Sequence, residues 1–222
     1  MKGRAAVVVF ARVPVPGAVK TRLAGALSPE GAAGLYEAFI SDTLDSLAEC
    51  SADVTLYFAP GDQPQPAGLA PEGVRVRTQR GDDLGARMLN ALVETFAAGY
   101  ERIVIVGSDH PTLPAEFFTL ALEALEERSS VVIGPADDGG YYLIGMNELY
   151  PGLFREMTFS RPDVLDRTLE RLADTDANLT LLPPWNDVDT PADLERLVRA
   201  LESGEEKAPH TADFLRTLGR LP

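Results

Sequence analysis

The sequence predicts an open α/β domain built on a mostly parallel sheet. Apolar runs alternate with helical patterns along the chain, as crossover connections between parallel strands require. Two of the runs, Ile103-Val104-Ile105-Val106 and Val131-Val132-Ile133, are continuous, which suits strands covered on both faces. Helix starts are also marked: Ser28-Pro29-Glu30 and Thr190-Pro191-Ala192-Asp193 each place a capping hydroxyl before a proline at the first helical position, with an acid in the first turn.

In chain order, the apolar run Ala5 to Phe10 predicts a first strand over 5–10, ended by Arg12 and two prolines, and Ser28 opens a helix over 29–49. A strand over 53–58 leads into the polar loop Pro60-Gly61-Asp62-Gln63-Pro64-Gln65-Pro66, which is too short to link domains, and a third strand follows at 73–78. Helical patterns at 84–98 and 115–127 flank the continuous strand 102–107. Strands at 130–134 and 141–146 are separated by Asp137-Asp138-Gly139-Gly140, and a helix over 162–173 precedes a last strand at 178–182. Thr190 opens a helix over 191–202, and Ser203 to Pro209 reads as a mobile joint before a short helix near 211–218. The simplest organisation is one domain over 1–202 with a C-terminal appendage over 203–222. No internal repeat is visible.

A chain of 222 residues, 45% hydrophobic and 24% charged, has ample material for one core. The formal net charge of −14 argues against a nucleic acid or an anionic membrane as partner. Cys50 is the only cysteine, which leaves no intrachain disulfide and no thiolate cluster; it reads as a small packing residue. Lys2 and Arg4 before an apolar stretch resemble a secretory signal, but the stretch stops at Arg12 without a small-residue cleavage site, so it reads as a buried strand. No run approaches the roughly 20 apolar residues of a membrane span, and the expected location is the cytoplasm.

Against that acidity, the first 29 residues hold no acid and carry a charge of +5, leaving −19 for the other 193. A strand running into a stiff Pro/Gly loop with Arg12, Gly17, Lys20 and Arg22 looks like an anion cradle, and Lys20 is one of only three lysines. In open α/β sheets ligands bind beyond the carboxyl ends of the strands. Four more chemically marked loops fall there: Gln79 to Arg87, Gly107 to Pro114, Gly134 to Tyr142 and Asn186 to Pro191. Each admits a local reading. The prolines and Gly17 fix a turn, Asp109 caps a following helix, Asp137 to Gly140 turns between strands, and Asp189 or Thr190 caps the last long helix.

If instead Asp109 gathers with Asp187 or Asp189, like charges about 4 Å apart repel by roughly 4 kcal/mol at an effective dielectric near 20. That favours a divalent cation or a raised pKa. Mg2+, or Mn2+ in its place, suits carboxylates acting with substrate phosphates. Such a combination serves phosphoryl-group chemistry by neutralising and positioning charge. Only His110 and His210 are available for a zinc site or a catalytic triad, no Gly-x-Ser-x-Gly elbow is present, and the first loop carries neither a Walker nor a dinucleotide glycine pattern.

Four motifs resemble one family. They are Phe10-Ala11-Arg12-x-Pro14-x-Pro16-Gly17-x-x-Lys20-Thr21-Arg22-Leu23, Gly107-Ser108-Asp109-x-Pro111-Thr112-Leu113-Pro114, Asp138-Gly139-Gly140-Tyr141-Tyr142-Leu143-Ile144-Gly145 and Asp187-Val188-Asp189-Thr190-Pro191-x-Asp193-Leu194. In order and spacing, over roughly residues 5–200, they are similar to the DUF2064 family, glycosyltransferase-like members of the nucleotide-diphospho-sugar transferase superfamily. The resemblance implies a GT-A fold, a Rossmann-like α/β/α sandwich with a mixed sheet.

Position by position, it implies that Arg12, Gly17, Lys20 and Arg22 lie by the nucleotide phosphates and that Gln79, Gly85 and Arg87 flank the nucleotide. Asp109, with Asp187 or Asp189, would lie on the metal side, and Gly139, Gly140 and Tyr141 on the acceptor side. Asp138 would orient or deprotonate the acceptor, and Lys20 and Asp138 would be the catalytic pair. The expected activity is transfer from a Mg-bound nucleotide-sugar donor to a small acceptor. Asp109-His110-Pro111 has one acid where glycosyltransferases carry Asp-x-Asp, and the first loop has prolines where nucleotidyltransferases carry Gly-x-Gly. Nucleotidyl transfer with release of pyrophosphate, and nucleotide binding without catalysis, therefore stand as alternatives.

Overall fold

A computed structural model describes residues 3–61, 65–66, 68–159 and 161–222. Lys2 of the basic stretch and Asp62, Gln63 and Pro64 of the polar loop lie outside the described residues. The strands are β1 (Ala5–Ala11), β2 (Asp53–Phe58), β3 (Arg75–Thr78), β4 (Arg102–Gly107), β5 (Ser130–Pro135), β6 (Tyr141–Met146) and β7 (Asn178–Leu181). The helices are α1 (Pro29–Ser46), α2 (Leu84–Ala97), α3 (Ala115–Ala124), α4 (Val164–Ala173), α5 (Pro191–Ser203) and α6 (Pro209–Thr217).

One sheet runs in the order β3-β2-β1-β4-β6-β5-β7. Its pairings are parallel except that β6 opposes both β4 and β5. The mixed, mostly parallel α/β fold is therefore as expected. Helices α1, α3, α5 and α6 bury Leu35, Phe39, Phe118, Leu194 and Leu215 on one face of the sheet, and α2 and α4 bury Met88, Leu92 and Leu172 on the other. Strand β1 sits between β2, reached through α1, and β4, reached through α2. The winding direction changes there, so the carboxyl ends of β1 and β4 open a crevice.

Most element ends fall within a few residues of the sequence expectation, and the differences have local causes. Helix α1 stops at Ser46, not 49, because Leu47 and Cys50 turn back to Leu44 and Leu47 with tighter bonds. Helix α3 stops at Ala124, not 127, where Glu126 N–H reaches Glu123 O. Strand β3 begins at Arg75, not 73, since its ladder with β2 starts there and Gly73 is in a turn at φ +91°. Helix α6 begins at Pro209, two residues early. The buried Asp42 carboxylate of α1 accepts His210 N–H and Thr211 N–H at 2.9 and 2.8 Å and supplies a cap from outside the helix. Cys50 packs half-buried against the core as a free thiol.

Ser28 caps α1 through Gly31 N–H at 3.0 Å. Thr190 and Asp193 form a capping box on α5. No helix among the described residues is long and apolar enough to cross a membrane.

Candidate active site at the carboxyl edge of the sheet

The loop after β1 is shaped by burial at two points. Val19 and Leu23 sink into the core, and Lys20 between them is forced into the left-handed region at φ +47°. A non-glycine residue there costs about 1–2 kcal/mol, so something must hold it. Its side chain is 3% exposed, and Nζ lies 2.5 Å from Asp109 Oδ1 and 2.8 Å from Asp189 Oδ1. The rings of Tyr36 and Phe39 lie 5.7 and 5.5 Å from the same ammonium. Arg22 reaches the other oxygen of Asp189 at 3.5 Å.

Those two acids come from loops that are bonded to each other. Val188 N–H donates to Asp109 O at 3.1 Å, and His110 Nδ1 lies 3.0 Å from Asn186 O. Neither acid caps a helix: Pro114, before α3, leaves that helix without a side-chain cap, and Thr190 caps α5, which leaves the Asp189 carboxylate to Lys20. Arg196 holds Asp187 O at 2.8 Å, so the Asp187 carboxylate is presented on a fixed backbone.

The charges respond to this packing. Burial by itself lowers the Lys20 pKa, but Asp109 and Asp189 together raise it above the ordinary lysine value. Desolvation works against the Asp109 carboxylate, but Lys20 holds it below the usual carboxylate range. Asp187 is pushed up, first by burial and then by the charge of Asp189. A carboxyl whose folded-state pKa is raised opposes folding once it ionises. Asp187→Asn is therefore expected to raise the thermal midpoint at neutral pH, with the gain shrinking as pH falls towards 4; matched melts at pH 7 and pH 4 check this. Tyr36, buried and near Asp109, is pushed up to about 12. Its neutral hydroxyl accepts Arg12 N–H at 3.0 Å and lies 2.7 Å from Ser108 Oγ, which ties together the mouths of β1 and β4.

A cavity of about 500 Å3 opens over this cluster. It is lined by Arg12, Lys20, Arg22, Gln79, Arg87, Asp109, Asp138, Gly140, Tyr141, Asp187 and Asp189, so most residues expected from sequence converge on it. Within it the charges interdigitate: Lys20 sits directly between Asp109 and Asp189.

Gln79 lines the cavity, but its amide is committed to Tyr57 O at 2.9 Å and Ala11 O at 3.3 Å, where it pins strand ends. Three expected residues lie outside the lining. Gly17 forms the exposed turn at φ +77°. A Cβ on Gly85 would lie 2.4 Å from Phe154 O, and one on Gly139, at φ +85°, would lie 1.9 Å from Pro162 O. These two glycines hold the cavity's frame by close packing. Asp138 Oδ1 accepts Gly140 N–H at 2.8 Å at the rim.

The cavity also has an apolar half that sequence reading passed over, lined by Phe10, Leu84, Met88, Ile105, Ile144 and Phe159. A bulge in β6 builds part of it. Gly134 pairs with Leu143 and Pro135 with Tyr141, which makes Tyr142 the extra residue. One inserted residue exchanges the faces of the side chains beyond it. Tyr142 accordingly joins the α1 face, beside His110 and Phe117, and Tyr141 packs on the α2–α4 face against Phe159. The Tyr142 ring takes the space that a Cβ on Gly134 would need. Tyr-Tyr after Gly-Gly is visible in sequence, but the exchange of faces is not.

Among the described residues, no group of three or more His, Cys, Asp or Glu side chains is placed to hold a metal by itself. The acids at the cavity offer only oxygen, which suits Mg2+ or Mn2+ held jointly with substrate phosphates.

A family model described as an uncharacterized protein conserved in bacteria, DUF2064, matches residues 43–161. No curated protein matches the chain. Among solved structures, the chain is similar to a candidate nucleotide-diphospho-sugar transferase from Desulfovibrio desulfuricans G20, with 37% identity, a TM-score of 0.89, and coverage of 97% of this chain and 95% of that one. It also superposes on Rv0371c from Mycobacterium tuberculosis H37Rv in complex with manganese, at 16% identity and a TM-score of 0.55, covering 89% and 99%. A third similar structure is 4-diphosphocytidyl-2C-methyl-D-erythritol synthase from Anaerococcus prevotii DSM 20548, at 11% identity and a TM-score of 0.58, covering 90% and 96%. The last two likenesses are of fold.

Proposed function

Because this chain belongs to the DUF2064 family, within the nucleotide-diphospho-sugar transferase fold, we propose that it is a metal-assisted transferase moving a glycosyl group from a nucleotide sugar to a small acceptor. The observation that supports this most is the single cavity that gathers Arg12, Lys20 and Arg22 with Asp109, Asp187 and Asp189. Arg12 and Arg22, both exposed at the rim, bind the donor's phosphates. Lys20 stands where charge develops on the leaving diphosphate, and a positioned cation there is worth about 100-fold or more in rate.

Asp187, with Asp109 or Asp189, would hold Mg2+ or Mn2+, which supplies charge neutralisation at the phosphates when bound. Asp138 takes the proton from the acceptor hydroxyl as its oxygen bonds to the anomeric carbon. The bond from that carbon to the diphosphate breaks, and nucleoside diphosphate leaves. All of this takes place in the cytoplasm.

One observation favours a second reading. The position two residues after Asp109, where a second acid would complete Asp-x-Asp, is Pro111, and the His110 between them is 6% exposed with Nδ1 3.0 Å from Asn186 O. On that reading the acceptor oxygen attacks the α-phosphorus and pyrophosphate leaves.

The test is a donor panel of nucleotide sugars and nucleoside triphosphates with Mg2+, read first by thermal shift. A positive donor raises the midpoint in the native chain and less in Asp109→Asn. Labelled-donor product analysis then separates nucleoside diphosphate from pyrophosphate. A chain whose midpoint ignores every donor at millimolar Mg2+ would falsify the transferase reading.

A further inference from the structure

We propose that the apolar half of the cavity is the acceptor subsite and that its acceptor carries an apolar body, an aromatic ring or short alkyl chain, beside the reacting hydroxyl. This rests on reading the charged half as the donor site. The floor is Phe10, Ile105 and Ile144, side chains of three adjacent strands on the α2–α4 face, and the walls are Met88, Tyr141 and Phe159. The one hydroxyl these six carry, on Tyr141, is buried beside Thr168.

A sugar or polyol placed here would leave hydroxyls without partners, each costing about ten-fold in affinity. An apolar body instead gains about four-fold per buried methylene. Asp138 and Gly140 line the same cavity just before Tyr141 in the chain, so an acceptor seated by its apolar end against Tyr141 has its hydroxyl within reach of the Asp138 carboxylate. The cavity, at about 500 Å3 in all, leaves room for a ring-sized body next to the donor phosphates.

Gly107 also lines this space. It pairs with Phe10 across β1 and β4 and so faces the same side. A Cβ there would meet nothing closer than 4.0 Å. A side chain at this position would enter the cavity without disturbing the frame, which makes Gly107→Leu a selective plug.

The test is a titration of the full chain, followed by 1H–15N correlation spectra, with 4-phenyl-1-butanol and in parallel with erythritol. Expected is a saturable perturbation of amides in 105–107 and 141–144 by phenylbutanol only, weakened at least ten-fold in Gly107→Leu. Phe159→Ser, at a half-buried wall position, is expected to weaken it too and serves if the plug variant does not fold. Erythritol binding equally well, phenylbutanol perturbing other regions or none, or uridine or guanosine displacing phenylbutanol would each overturn the proposal. The thermal-shift panel on Gly107→Leu tests the donor reading separately. If no nucleotide binds but phenylbutanol does, the donor reading falls while the apolar subsite stands.

Discussion

Lys20→Met is expected to reduce turnover about 100-fold or more and to lower stability by about 2 kcal/mol, or roughly 4–8 °C in thermal midpoint for a chain of this size. The stability figure lies between two limits. Removing one partner of a fully buried ion pair costs about 3–5 kcal/mol, and exposed pairs are worth about 0–1 kcal/mol. Lys20 is 3% exposed, but its partners Asp109 and Asp189 are 45% and 35% exposed, so solvent screens part of the loss.

Two further readings separate this cause from lost packing against Tyr36 and Phe39. Millimolar Mg2+ should recover part of the lost midpoint, because it neutralises the carboxylates that the methionine leaves facing each other. The deficit should also shrink in acid. Asp109 has a folded-state pKa below its ordinary 3.8, so its pairing with Lys20 stabilises fully above that value and is lost as pH falls through the lower one. Melts of both proteins at pH 7 and near pH 3, with and without Mg2+, check all three; a deficit indifferent to both pH and Mg2+ would assign it to packing.

Gly139→Ala is expected to cost about 3 kcal/mol, or roughly 6–12 °C in midpoint. The position combines φ +85° with an approach of 1.9 Å between an added Cβ and Pro162 O, so the alanine would be strained by its own backbone and would push the segment before α4 away. The first turn of α4 is bonded to the Gly139 turn through Leu165 N–H to Gly139 O at 2.9 Å, and the segment before it follows closely on Phe159, a cavity wall. Ligand affinity at the cavity should therefore fall together with stability. The neighbouring Gly140→Ala is the control: its φ is not positive, and the nearest atom is the movable Asp138 Oδ1 at 3.1 Å. Less than about 1 kcal/mol is expected there. Equal melts for the two variants would show that Gly139 is not what holds the wall.

Much of the fold is legible in the sequence because its signals are local. Continuous apolar runs mark β4 and β5, and Ser28 and Thr190 mark helix starts with bonds made inside one turn. Element ends differ from the sequence expectation where the deciding partner is distant. The start of α6 depends on Asp42, 168 residues away from His210 along the chain, and the start of β3 depends on its register with β2. The same division holds at the cavity. Arg12, Lys20, Asp109, Asp138 and Asp189 stand out as unusual residues after strands. Tyr36 and Phe159 do not, since each lies in an ordinary context and acquires its place only by packing.

Residue order alone shows that basic and acidic loops follow the strands of one mostly parallel sheet, because strand direction sets which loops share an edge. The placing of Lys20 between Asp109 and Asp189, the exchange of faces by Tyr141 and Tyr142, and the apolar half beside the charged one come from the folded chain. Those features depend on distances of a few ångströms between segments far apart in the chain. Short-range electrostatics and packing fix such distances, and no periodicity encodes them.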